Sequence, residues 1–128
     1  MRKEEDYFRS CENQALLKII EDYKDAVIAC GGGTPCFYNN MEIIRNTGKS
    51  FYIKTSPDIL FQRLSKTHNQ RPLFKNLPQE QWLKKINELL AIREPFYKQA
   101  HYIIDGDYNP LERIMQCLQY DSDFNFKK

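Results

Sequence analysis

The 128 residues contain no apolar run approaching the ~20 that a membrane-spanning helix needs. They open on MRKEEDYFRS, which has no apolar h-region, so no secretory leader is expected. The chain therefore reads as cytoplasmic, in a compartment that keeps thiols reduced. Its four cysteines, Cys11, Cys30, Cys36 and Cys117, form no C-x-x-C pair. That spacing argues against structural zinc, and no metal-ligand set is assigned. A net charge of +2 is too small to argue for nucleic acid or a membrane surface as partner. Histidine is scarce as well: His68 and His101 belong to no Ser/His/Asp order, and no paired carboxylates mark a hydrolytic cleft. There is no internal repeat. What remains is an ordinary balance of 41% hydrophobic and 28% charged residues, at a length that suits one domain and one core.

Glycine is also rare, with five in the chain, yet three are adjacent in VIACGGGTPCFYNN. Three bare backbones after an apolar run serve either a tight strand-to-helix turn or the approach of main-chain N–H groups to an anion. A phosphate loop would end in Gly-Lys-Ser/Thr before a helix, and none follows. Gly48-Lys49-Ser50 has the right letters, but it precedes a strand and lacks the earlier glycine.

Apolar residues Phe8, Ala15, Leu16, Ile19, Ile20 and Tyr23 recur at three and four, which predicts a helix over residues 4–23. DAVIAC, residues 25–30, has the composition of a strand buried on both faces. Asn39 or Asn40 caps a helix to Thr47, closed by Gly48. KSFYIKTS is a second strand, and Ser56-Pro57-Asp58 opens a helix to about residue 66. Residues 67–79 are polar and aperiodic and read as a mobile excursion. A helical pattern then covers 79–100, with Pro95 expected to kink or break it. HYIIDG is a third strand, Asn109-Pro110 starts a helix through Leu118, and residues 120–128 read as a tail without structure. Strands alternating with helices predict an α/β domain with a parallel sheet.

Four features offer chemistry. Arg9 and Glu12 share a helix face, either as a surface ion pair or as a guanidinium held in a chosen rotamer. The glycines are the second. Arg71-Pro72-Leu73 lies in the excursion, either solvated or able to close over a phosphate. Arg93, in REPFY, lies either on the solvated side of its helix or in a cleft beside the helix break. Arginine matters because its planar fork meets a carboxylate or phosphate with two parallel hydrogen bonds.

Taken in order, YFRSCE, VIACGGG, FYIKTSPDILFQRL, RPLF, IREPFYKQAHYIID and DYNP resemble shikimate kinase, a small P-loop kinase of the nucleoside-monophosphate kinase group. The resemblance spans residues 1–119, with a lid at about 67–79. It implies an α/β parallel sheet in the order 2-3-1-4-5 and ATP-dependent phosphorylation of the shikimate 3-hydroxyl with Mg²⁺, a step towards the aromatic amino acids. It implies that Arg9 and Arg93 hold the substrate carboxylate, that Gly32 and Gly33 contact its hydroxyls, and that Phe8 walls the pocket while Glu12 supports Arg9. Arg71 would reach the transferring phosphate, with Pro72 and Leu73 covering the substrate. Arg63, Asn109 and Pro110 resemble adenine-side contacts.

The family's first strand, phosphate loop and second strand have no counterpart in these residues. The expectation is therefore a C-terminal part of the domain, completed by a separate N-terminal fragment or by self-association. The alternative is a non-catalytic module that binds small carboxylates or acts through association.

Overall fold

The computed structural model describes residues 2–66 and 74–126. Among the described residues, five helices, α1 (Arg2–Asp22), α2 (Asn40–Thr47), α3 (Pro57–Ser65), α4 (Trp82–Tyr97) and α5 (Pro110–Phe126), accompany two strands, β1 (Phe51–Lys54) and β2 (Tyr102–Asp105). Short 3-10 turns lie at Thr34–Cys36 and Gln79–Gln81.

β1 and β2 pair in parallel, Phe51 opposite Tyr102 and Lys54 opposite Asp105. They are neighbours, as the order 2-3-1-4-5 requires of its last two strands. Alternation puts Phe51, Ile53, Tyr102 and Ile104 on one face and Tyr52, Lys54, Ile103 and Asp105 on the other. The Phe51 and Tyr102 rings stack at 5.1 Å, and the Tyr102 hydroxyl donates to Asp121 on α5. On the opposite face the Tyr52 hydroxyl donates to Glu94 Oε2 of α4 at 2.7 Å. Helices thus cover both faces of a parallel pair, the α/β arrangement expected from the alternating pattern.

Local chemistry accounts for most boundaries. Ser56 caps α3, its hydroxyl accepting from the Ile59 amide at 3.4 Å, with Pro57 in the first turn. The strands start together because the Ser50 amide donates to His101 Nδ1 at 3.1 Å and the His101 amide donates to Ser50 Oγ at 2.9 Å. The main apolar cluster lies between α3 and α4: Phe74, Trp82 and Ile86 are buried, with Leu60, Phe61 and Leu64 packed against them.

Five expectations need correction. Residues 25–30 form no strand; they have no ladder partner among the described residues and are exposed throughout. Their β-branched composition suits a flanked strand, but among the described residues no strand lies beside them. Asn39 stands at the start of α2 without a side-chain cap, and Gly48 ends that helix in an extended conformation, not a left-handed one. The excursion is not free of packing, since Phe74 enters the core and the Trp82 indole donates to the Leu77 carbonyl at 2.9 Å. Pro95 does not end α4, which continues to Tyr97; only the Ala91 carbonyl loses its helical donor. Finally, α5 runs to Phe126, because Asp121 also meets Lys49 Nζ at 3.5 Å and ties the supposed tail to the start of β1.

The chain exposes 10204 Å², whereas a folded monomer of 15.3 kDa exposes roughly 7,100 Å² by the usual scaling of surface with mass. Val27, Ile28, Ile53 and Ile103 are among the apolar side chains left in solvent.

Candidate functional site

Arg9, Glu12 and Asn13 stand at i, i+3 and i+4 on α1, so one helix stripe carries all three, one turn before buried Leu16. Arg9 Nη1 donates to Glu12 Oε1 at 2.9 Å, and the two side chains keep only 15% and 16% of their exposure. The Thr34 hydroxyl donates to the other oxygen, Glu12 Oε2, at 2.7 Å. The Arg9 guanidinium carbon lies 4.3 Å from the Phe37 ring centre and 5.1 Å from that of Phe8, which adds cation–π attraction on both sides. Arg9 Nε is buried with no hydrogen-bond partner among the described residues.

The loop that meets this stripe is held by Asn40. Its side chain is 0% exposed, accepts from Asn13 Nδ2 at 2.6 Å and donates to the Thr34 carbonyl at 2.9 Å. A buried amide of this kind is stable only when its donors and acceptors are matched. The sequence suggested Asn40 as a helix cap; its role as the bracket between α1, the 3-10 turn and α2 was missed. The available signal was Asn13, one residue beyond Glu12 on the same helix face.

Arg93 arrives from α4. The three glycines differ sharply in the space around them. A Cβ on Gly31 would make ordinary contact with Thr34 Oγ1 at 3.4 Å. On Gly32 it would lie 2.8 Å from Arg93 Nη1 and 3.3 Å from the Tyr97 hydroxyl. On Gly33 it would lie 2.5 Å from Arg9 Nη2. No glycine has positive φ, so bare backbone is needed here for close approach and not for conformation. Two adjacent residues therefore each receive a guanidinium, one from α1 and one from α4. Glu12 offsets the first; Arg93 pairs with no carboxylate among the described residues. The corner carries net positive charge facing a bare main chain, which suits an anion with hydroxyl groups.

Titration behaviour reflects the same field. Burial pushes the Cys36 thiol up, while Arg93 and Arg9 act in the opposite sense. Burial also raises the Tyr97 phenol, again opposed by Arg93. Behind the corner, Glu94 is held below the usual carboxylate range by the Tyr52 hydroxyl and by Lys54 and Lys98.

The other candidates lie apart from this corner or outside the described residues. Arg71, Pro72 and Leu73 fall in the latter class. Arg63 is exposed on the last turn of α3. Asn109 has φ 41, a left-handed conformation that asparagine tolerates, and Pro110 is the first residue of α5. Because β1 and β2 are parallel, α3 and the turn before α5 both leave from the carboxyl end of the sheet, where the Gly106 amide donates to the Lys54 carbonyl at 2.7 Å and the Ser56 amide to Asp107 Oδ1 at 3.3 Å.

The sequence profile of the shikimate kinase family matches residues 1–120. The chain belongs to the shikimate kinase family. It is 40% identical over 100 residues to shikimate kinase of Bacteroides thetaiotaomicron, covering 78% of this chain and 57% of that protein. It is 37% identical over 117 residues to shikimate kinase of Phocaeicola vulgatus, covering 91% of this chain and 66% of that one. A crystal structure of the Bacteroides thetaiotaomicron shikimate kinase superposes with a TM-score of 0.78 at 37% identity, covering 91% of this chain and 68% of that chain. The chain thus spans between about half and two thirds of the length of its curated relatives.

The family implies ATP and Mg²⁺. Among the described residues no group of three His, Cys, Asp or Glu could hold a metal ion. The sequence has neither the lysine nor the hydroxyl of a phosphate loop ahead of a helix. The described residues therefore do not by themselves form a site for the triphosphate or its ion, whereas the charge and donors of the glycine corner suit an organic acid.

Proposed function

We infer that this chain carries the acceptor-binding half of an ATP-dependent phosphorylation of the shikimate 3-hydroxyl. Arg9 and Arg93 grip the carboxylate, and the Gly32–Gly33 main chain faces the ring hydroxyls. Glu12, Phe8 and Phe37 keep the Arg9 fork in place. Arg71, Pro72 and Leu73 serve as the lid over the acceptor, with Arg71 near the moving phosphoryl group, while Arg63, Asn109 and Pro110 face the adenine. The observation that carries this reading is the convergence of two guanidinium groups from different helices on adjacent glycines. Holding the acid at two points turns a single hydroxyl towards the donor, and such positioning supplies much of the rate in phosphoryl transfer.

Transfer itself needs a phosphate-binding segment outside these 128 residues. The reaction belongs in the cytoplasm, where a nucleoside triphosphate is at hand.

The test is calorimetric titration of shikimate into the chain, its Arg9→Ala and its Arg93→Ala forms, followed by an assay of shikimate-dependent ADP formation with and without a phosphate-loop polypeptide. Binding that depends on both arginines, and turnover only in the mixture, are expected. Equal heats from all three proteins would remove the pocket. Binding without turnover in either case would favour the second reading, a small-carboxylate-binding module.

A further inference from the structure

We propose that Tyr97 is a positioning residue for this site: its hydroxyl fixes the peptide plane between Gly32 and Gly33 and so aims the Gly33 N–H at the bound acceptor. The proposal rests on the reading above, that the corner takes a hydroxylated carboxylate.

The three glycine carbonyls are satisfied in two different ways. Gly31 O accepts from the Thr34 amide at 3.1 Å, and Gly33 O accepts from the Cys36 amide at 3.0 Å; both bonds belong to the loop's own tight turn. Gly32 O, between them, receives from its own loop only a long contact from the Cys36 thiol at 4.0 Å and accepts from the Tyr97 hydroxyl, which comes from a residue 65 positions away. A trans peptide holds the carbonyl of one residue and the N–H of the next in one plane, pointing in opposite directions. A hydroxyl that takes the Gly32 carbonyl towards α4 therefore turns the Gly33 amide away from α4. Glycine resists such rotation less than any other residue, so an outside anchor is what makes the orientation definite.

Tyr97 is itself immobilised. Its ring lies 5.0 Å from that of Tyr52 at an angle of 49°. Tyr52 donates to Glu94, whose carboxylate also meets Lys54 Nζ at 3.5 Å and Lys98 Nζ at 3.7 Å. Arg93 and Tyr97 stand at i and i+4, so one turn of α4 delivers both the anion's partner and the peptide's anchor to the same glycine.

Tyr97→Phe removes the hydroxyl and keeps the ring. Two ligands separate positioning from bulk structure: shikimate, and a cyclohexene carboxylate without hydroxyls. The variant should bind shikimate about fivefold more weakly, the worth of one neutral hydrogen bond, and bind the bare acid as the unmodified chain does. In amide correlation spectra of the unmodified chain, shikimate should move the Gly33 resonance more than that of Gly31, a result that does not depend on the variant folding. Equal loss for both ligands, unchanged shikimate affinity, or a Gly33 amide indifferent to shikimate would each overturn the proposal. If the unmodified chain binds neither ligand, the anion-site reading fails and the proposal with it. If it binds both and Tyr97→Phe changes nothing, the proposal alone fails.

Discussion

The glycine corner and the two-stranded sheet belong to the same short chain and could hardly be more different in construction. At the corner, Asn40 is wholly enclosed, and Arg9, Glu12, Asn13 and Thr34 are matched to one another across three elements. At the sheet, two strands of four residues leave Ile53 and Ile103 half in solvent, and the apolar residues 25–30 lie exposed without a neighbour. A polar network closes over short distances once α1, the 3-10 turn and α2 meet, because each bond needs one partner only. An apolar strand needs a ladder on its edges and cover on its faces, so it is finished only when enough chain surrounds it.

Predictions that break or sharpen this contrast begin at the corner. Arg93→Ala should weaken shikimate binding about 100-fold, the scale of a charge-assisted pair, with little change in the thermal midpoint. Calorimetry beside a melting curve checks both halves. A midpoint that falls with the affinity would mean the arginine is structural.

Asn40→Ala should cost about 1–3 kcal/mol in urea unfolding, since it strands the Asn13 amide and the Thr34 carbonyl in a buried place. A loss under about 0.5 kcal/mol would show that the bracket is dispensable.

Gly33→Ala should weaken binding about tenfold by displacing the Arg9 fork, whereas Gly31→Ala should leave affinity unchanged, because its new methyl meets only ordinary contacts. Identical behaviour of the two variants would contradict the crowding seen at Gly33.

Acid should act through Glu94. Its carboxyl is held below the usual range chiefly by the Tyr52 hydroxyl, then by Lys54 and Lys98. The stability it contributes is complete above the unfolded carboxylate value of about 4.3 and is lost as pH falls through the lower folded value. Glu94→Gln should therefore flatten the acid limb of the stability profile below that pH and leave the neutral limb parallel to the original.

The smallest effect belongs to the exposed segment. Val27→Ser should change the stability of the chain alone by less than about 0.5 kcal/mol. A larger loss would mean that solution partners cover the segment.

Much of this architecture could be read from the residues. Ser56-Pro57 marked the start of α3 because capping is local chemistry, and the stripe Arg9–Glu12 was visible in spacing alone. Asn40 was read as a cap, since an asparagine at a helix start carries the same letters whether it faces solvent or closes a buried bracket. Phe74 was lost in a polar run without period; its destination is set by Trp82 and Ile86, distant in no regular register. DAVIAC misled for the opposite reason. Its composition records which surroundings the segment suits, not whether this stretch of chain provides them. The continuation of α5 past residue 118 depends on Asp121 reaching Tyr102 and Lys49, contacts between residues far apart in sequence.

Pro95 leaves one rung out of α4, the bond to the Ala91 carbonyl, beyond the buried root at Trp82 and Ile86 and within the turn that presents Arg93 and Tyr97. The root is clamped by aromatic packing, so bending concentrates where the ladder is thinnest. Arg93 sits within that gap and Tyr97 just beyond it, so a change of bend there would alter the spacing of the two side chains that meet Gly32.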